Sequence, residues 1–96
     1  MSLVNEIQER LQVLNPVVCV CEDESHLHAG HAGAKSGGGH YALFIVSDAF
    51  EGQSRIARQR MVNAPLQDLF VQKIHALSIR ALTNAQWQDL QQKEAE

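Results

Sequence analysis

The sequence predicts a small α/β domain of the α+β type. Its elements run helix, strand, strand, helix, strand, helix, with a three-stranded mixed sheet and helices packed on it. Three observations predict this. The chain has 96 residues, 45% of them hydrophobic, which suits one domain spanning 1–96 around one modest core. Apolar residues recur at helical spacing near both ends and in the middle. Between those stretches lie three short runs rich in β-branched and apolar residues, and a long polar segment full of glycine separates the first two.

Ser2 is placed to cap a first helix, whose apolar stripe is Leu3, Val4, Ile7, Leu11 and Leu14. Pro16 ends it. The first strand is expected over Val17 to Cys21. From Glu22 to Gly39 the chain turns polar and small, and five of its six glycines fall there. A loop of that length is uncommon in a compact domain and is usually functional or disordered. Its glycines raise the cost of ordering it, so it is expected to be the most mobile segment of the free protein.

Tyr41 to Val46 reads as the second strand, antiparallel to the first. Ser47 to Gly52 turns the chain. A second helix is expected from about Ser54, with Ile56, Ala57, Met61, Ala64 and Leu69 on its buried side. Pro65 predicts a kink or a restart. Ala76 to Leu82 is the third strand, and period-two alternation places His75, Leu77, Ile79 and Ala81 on one face and Ala76, Ser78 and Arg80 on the other. Thr83-Asn84-Ala85-Gln86 fits a capping box at the start of the last helix. Trp87 and Leu90 are expected to pack that helix inward, and residues 91–96 to form a frayed tail.

Charge is segregated along the chain. Residues 55–80 hold five cations, Arg55, Arg58, Arg60, Lys73 and Arg80, against Asp68 alone, a surplus of four. The rest holds three cations against ten carboxylates, which restores the net −3. One surface is therefore expected to be basic. Phosphate contacts from Arg55, Arg58, Lys73 and Arg80 are the nucleic-acid-binding reading; a solvated helix face is the plainer one. Few aromatic residues accompany these charges, so stacking on single strands is poorly supported. No apolar stretch is long enough to span a bilayer, and the first fourteen residues do not read as a signal peptide. The expected compartment is cytoplasmic.

The chemistry-bearing residues are mainly histidines. There are five, and His26, His28, His31 and His40 lie in or beside the glycine-rich loop, while His75 opens the third strand. His26-Leu27-His28 and His28-Ala29-Gly30-His31 are spaced closely enough for two rings to meet one ion. One reading is a metal site built from the loop and His75; a zinc site of loop histidines alone is a weaker form of it. The other is that histidines on a polar loop are simply solvated. His75 precedes an apolar strand, so it calls for a buried hydrogen bond or a ligand role. Cys19 and Cys21 share a strand face and read as small core hydrophobes, neither a disulfide nor a thiolate site. A chain without a set of exposed thiolates is expected to hold no iron–sulfur cluster alone.

Catalytic constellations are missing. Glu22, Asp23 and Glu24 beside Ser25 and His26 do not make a triad, whose members come from separated segments. Gly37-Gly38-Gly39 lacks the following Lys-Ser/Thr and the helix of a phosphate loop. Gly30-His31-Ala32-Gly33 spells G-x-x-G, but between two strands, whereas the nucleic-acid clamp of that form joins two helices. A binding protein, not an enzyme, is the expectation.

Taken together, Glu24-Ser25-His26, His28 to Gly33, His40-Tyr41, Val46-Ser47, Phe50-Glu51-Gly52, Arg58-Gln59-Arg60, His75-Ala76-Leu77-Ser78-Ile79, Thr83 and Trp87 resemble the BolA family, in order and over nearly the whole chain. The resemblance implies an αββαβα fold related to class II KH domains. It implies partnership with a monothiol glutaredoxin, the two proteins sharing a [2Fe–2S] cluster. The glutaredoxin gives one thiolate, glutathione another, and the BolA-like chain gives histidines. His75 matches the family's ligand at the start of the third strand. His28 is the best match for the loop ligand, His31 the alternative, and His40 matches a recurrent position of less certain role. The family also includes transcription regulators that bind DNA through the second helix and third strand. Here the family's usual Arg-His-Arg reads Arg58-Gln59-Arg60, and Pro65 interrupts the helix, which weakens that DNA-facing surface.

Overall fold

The structure, a computed structural model, describes residues 2–25 and 39–95. His26, His28, His31, the G-x-x-G segment and the expected mobility of the loop lie outside the described residues.

The first helix, α1 (Leu3–Arg10), starts where Ser2 Oγ accepts from the Asn5 amide, and tightens into a 3₁₀ turn over Leu11–Leu14. Asn15, at φ 49°, closes it in the left-handed region that asparagine tolerates. The expected stripe is the packed one. Ile7 and Leu11 are fully buried, and Leu3, Val4 and Leu14 pack against the same cluster. Each fully buried aliphatic side chain contributes about 1.5–3 kcal/mol.

Strands β1 (Val18–Asp23), β2 (Gly39–Val46) and β3 (Ile74–Leu82) form one sheet in the order β1-β2-β3. All three run a few residues further than their apolar runs toward the loop end of the sheet. β1 pairs antiparallel with β2, and β2 pairs parallel with β3, so the sheet is mixed. A parallel neighbour requires a crossover. Here it is α2 (Arg55–Asn63), a 3₁₀ turn at Ala64–Leu66 and α3 (Gln67–Gln72). Pro65 sits in the 3₁₀ turn, so the helix restarts there. The buried stripe runs through the turn at i, i+4 and i+7. The buried residues are Val62, Leu66 and Leu69, with Met61 beside them, whereas the expected Ile56 is 62% exposed and Ala64 is exposed.

One sheet face carries the core: Cys21, Tyr41, Leu43 and Ile45 are buried, and Cys19, Leu77, Ile79 and Ala81 pack against them. The opposite face, with Val20, Glu22, Ser78 and Arg80 exposed, is open. Ser47 is a buried polar hub. Its amide donates to the Leu82 carbonyl, and its hydroxyl donates to the Leu14 carbonyl and accepts from the Ala49 amide, joining three segments. A last helix, α4 (Asn84–Ala95), begins with the expected capping box: Thr83 N donates to Gln86 Oε1 at 2.9 Å, and Gln86 N to Thr83 Oγ1 at 3.2 Å. It continues past Gln91 to Ala95, with Lys93 paired to Asp89 one turn back. Trp87 and Leu90 are half-buried and outside the core cluster, because α4 has too few apolar residues for a continuous stripe.

Candidate functional site

The candidate site lies where β2 and β3 begin. Gly39 pairs with Ile74, but His40 pairs with Ala76, so His75 is the extra residue of a bulge. The burial pattern explains why. Ile74 and Leu77 both face the core, three positions apart, and a strand of period two cannot do that without one residue of slack. His75 takes up the slack and is exposed. It does not share the core-facing side of Leu77, Ile79 and Ala81 as strict alternation predicted, and a buried hydrogen bond does not account for it. Its ring instead meets that of His40, with centroids 5.0 Å apart and planes tilted by 51°.

His40 is held by the ends of the glycine-rich segment. Its amide donates to Ser25 Oγ at 3.1 Å, and its carbonyl accepts from the Glu24 amide at 2.8 Å. The Ser25 amide in turn donates to Asp23 Oδ1 at 2.9 Å. Gly39 N donates to the Lys73 carbonyl at 2.9 Å, tying β2 to the residue before β3. Gly39 must be glycine for space: a Cβ there would sit 2.6 Å from Tyr41 Cε2 and 2.8 Å from Ser25 Oγ. Ser25 and Gly39 are therefore positioning residues that sequence reasoning missed. Their signal was faint: a Ser at one margin of a polar loop and the last of three glycines at the other.

Two imidazoles at this spacing suit a shared metal centre, since nitrogen from two histidines replaces two thiolates on one iron in Rieske-type clusters. The chain's own thiols do not join them. Burial, with help from Cys19, Asp23 and Glu22, pushes the Cys21 thiol up to about 11, and burial also raises Cys19. Both stay protonated at neutral pH, on the core side of β1. Among the described residues no group of three or more His, Cys, Asp or Glu side chains is arranged to hold a metal ion. His28 and His31 follow Ser25 by three and six positions, and their placement lies outside the described residues.

The basic residues do not form one surface. Arg55, Arg58 and Arg80 line a cleft of about 650 Å³ between the start of α2 and the far end of β3. Lys73 is at the other end of β3, 3.7 Å from Glu6 Oε2. Arg58 is largely committed within the fold: it donates to the Gln53 carbonyl at 3.0 Å, the Ala81 carbonyl at 3.0 Å and Gln86 Oε1 at 2.8 Å. The Arg80 guanidinium stands 5.8 Å over the Phe44 ring.

The sequence profile of the BolA-like protein family matches residues 11–86 of this chain. The chain belongs to the BolA-like family. It is 44% identical over 86 residues to SufE-like protein 1, chloroplastic/mitochondrial, of Arabidopsis thaliana, covering 83% of this chain. It is 33% identical over 92 residues to the DNA-binding transcriptional regulator BolA of Escherichia coli, covering 95% of this chain and 85% of that one. Among solved structures it resembles the BolA domain of SufE1 from Arabidopsis thaliana, with a TM-score of 0.79, covering 90% of this chain and 96% of the other. The chain spans 23% of the length of SufE-like protein 1 and 53–56% of that of the BolA-like protein 1 relatives from cattle, mouse and orangutan. The family read from scattered residues is the family found, and it brings the mixed three-stranded sheet with it.

Proposed function

We propose that this BolA-like chain is a binding protein, not an enzyme, and that it gives imidazole ligands to a [2Fe–2S] cluster shared with a monothiol glutaredoxin and its glutathione, in cluster maturation, transfer or iron homeostasis. The observation that carries the reading is the His40–His75 pair, two rings 5.0 Å apart at the mouth of the glycine-rich segment. The state of the thiols supports it. A chain whose two cysteines face the core and stay protonated supplies nitrogen donors and leaves the thiolates to its partner. His75 is the anchored ligand. His40 sits beside it, and His28 or His31 can stand in as the second donor. When bound, the cluster supplies redox and transferable iron–sulfur chemistry; the chain's residues bind and orient it. The nucleic-acid reading has less support: the main guanidinium of the basic cleft is occupied, Lys73 is distant, and no aromatic residue lines the cleft.

Co-expression with a monothiol glutaredoxin, followed by absorption and circular dichroism spectra of the complex, tests this. The complex is expected to be coloured and the chain purified alone colourless. His75→Ala is expected to shorten the cluster's lifetime more than His40→Ala, His28→Ala or His31→Ala, because the bulge fixes His75 where the loop donors can substitute for one another. An unchanged spectrum and lifetime in the His75→Ala complex would remove His75 from the site.

A further inference from the structure

β3 is an outer strand, and among the described residues no other strand covers its far side. The Leu82 carbonyl accepts from Ser47, which turns the backbone of even-numbered residues toward β2 and that of Leu77, Ile79 and Ala81 to the outer edge. Among the described residues, the only side chain bonded to that edge is Arg58, at the Ala81 carbonyl. The cleft of about 650 Å³ runs along this edge from Ile79 to Leu82, within the size range of ligand sites. Among the described residues its ionisable lining is wholly cationic, Arg55, Arg58 and Arg80, and its other polar side chains are glutamine amides. Arg55 and Arg80 are exposed. Natural proteins blunt an open edge with charge, and here the charge is of one sign only.

We propose that this edge is a docking site for an extended acidic peptide segment of a partner protein, which adds to β3 as a fourth strand and places carboxylates against Arg55 and Arg80. The two kinds of recognition are complementary. The backbone of Ile79 and the Ala81 amide supply affinity that only another strand can match, and the guanidinium groups select acidic side chains. Arg58, already fixed on the Ala81 carbonyl, sets where the added strand stops. Nucleic acid would answer the charge but not the strand edge, and no aromatic ring in the cleft offers stacking. The site lies five residues along β3 from His75, about 17 Å away at strand rise, so it is independent of the cluster reading.

The test uses a fluorescein-labelled hexapeptide of alternating valine and glutamate, its lysine counterpart, a version with proline at the valine positions, and a 12-base-pair duplex of random sequence. Binding is followed by fluorescence anisotropy and by amide hydrogen exchange. The valine–glutamate peptide is expected to bind, to slow exchange at the Ile79 and Ala81 amides at least tenfold, and to lose at least tenfold in affinity with Arg55→Glu or Arg80→Glu. The lysine and proline peptides are expected not to bind. Tighter binding of the duplex with no slowing at those amides, peptide binding that leaves them unprotected, or no peptide binding at all would overturn the proposal. Both variants change exposed side chains, and an unchanged urea midpoint confirms that they fold.

Discussion

At the start of β3 the backbone is constrained and the side chains are presented. At its end the reverse holds. Near His75 the glycine at position 39 leaves no room for a Cβ, Ser25 pins the His40 amide, and a bulge pushes one residue out of the ladder. Two imidazoles face one another as a result. Near Ala81 the strand is regular, and a charged side chain is pulled inward to satisfy carbonyls and an amide oxygen. Charge or ligand chemistry in a residue type therefore says little about its use. What matters is whether the backbone beside it still has groups to satisfy.

The strongest way to break the contrast is to give Gly39 a side chain. Gly39→Ala is expected to cost about 1–3 kcal/mol, because the new atom meets the buried Tyr41 ring and the Ser25 hydroxyl that holds His40. Urea denaturation reads the cost, and displaced His40 and His75 ring resonances read the lost geometry. A variant as stable as the parent would mean that the close approach is not real.

Arg58→Ala is expected to cost about 1–2 kcal/mol by the same assay, since it frees the Ala81 and Gln53 carbonyls and loosens Gln86 in the cap of α4. Arg55→Ala, which has no such bonds, is expected to change stability by less than about 0.5 kcal/mol. Equal effects from the two arginines would erase the distinction between the committed and the available cation.

A third measurement tests which side of the sheet is sealed. The Cys21 thiol is pushed up to about 11, chiefly by burial. Once unfolded it ionises near pH 8.5, as free thiols do. The folded state's advantage from this group is therefore complete below the unfolded value and is lost as pH rises from about 8.5 through the folded value. The urea midpoint is expected to fall across that window, and to fall less in Cys21→Ala. Native-state alkylation of Cys21 at pH 7 is expected to be slow, and rapid labelling would show that β1 opens.

The smallest effect is expected at the ion pair between Arg10 and Asp68, which joins α1 to α3. The Arg10 side chain holds the Asp68 carboxyl below its ordinary range, with hydrogen bonding the largest cause. A carboxylate with a lowered folded value stabilises above its unfolded pKa and loses that contribution as pH falls through the folded one. Asp68 is 68% exposed, so Asp68→Asn is expected to lower the urea midpoint only slightly at pH 7, and the difference to shrink as pH falls.

Local signals were legible wherever one segment carried its own physics. The Ser2 cap, the Thr83–Gln86 box, the restart at Pro65 and the stripe of α1 need only neighbours three or four residues away, so spacing alone announced them. In the second helix Leu69 was placed correctly and Ile56 was not: Val62, Leu66 and Leu69 form the buried stripe, and Ile56, on another face of α2, points outward. The site was half legible. Unaided, the sequence determined that histidines cluster around one glycine-rich segment and at the head of one strand, and that the family is BolA-like. It also determined that the cysteines lie on one strand face, without saying which face is inward. Only the tertiary structure decided that β2 and β3 run parallel, that their register skips at His75, and that His40 rather than a core contact meets its ring. It also decided that Arg58 caps one carbonyl at the end of an edge instead of facing solvent. Strand register and edge satisfaction depend on pairing between residues more than twenty positions apart, and no local spacing encodes that pairing.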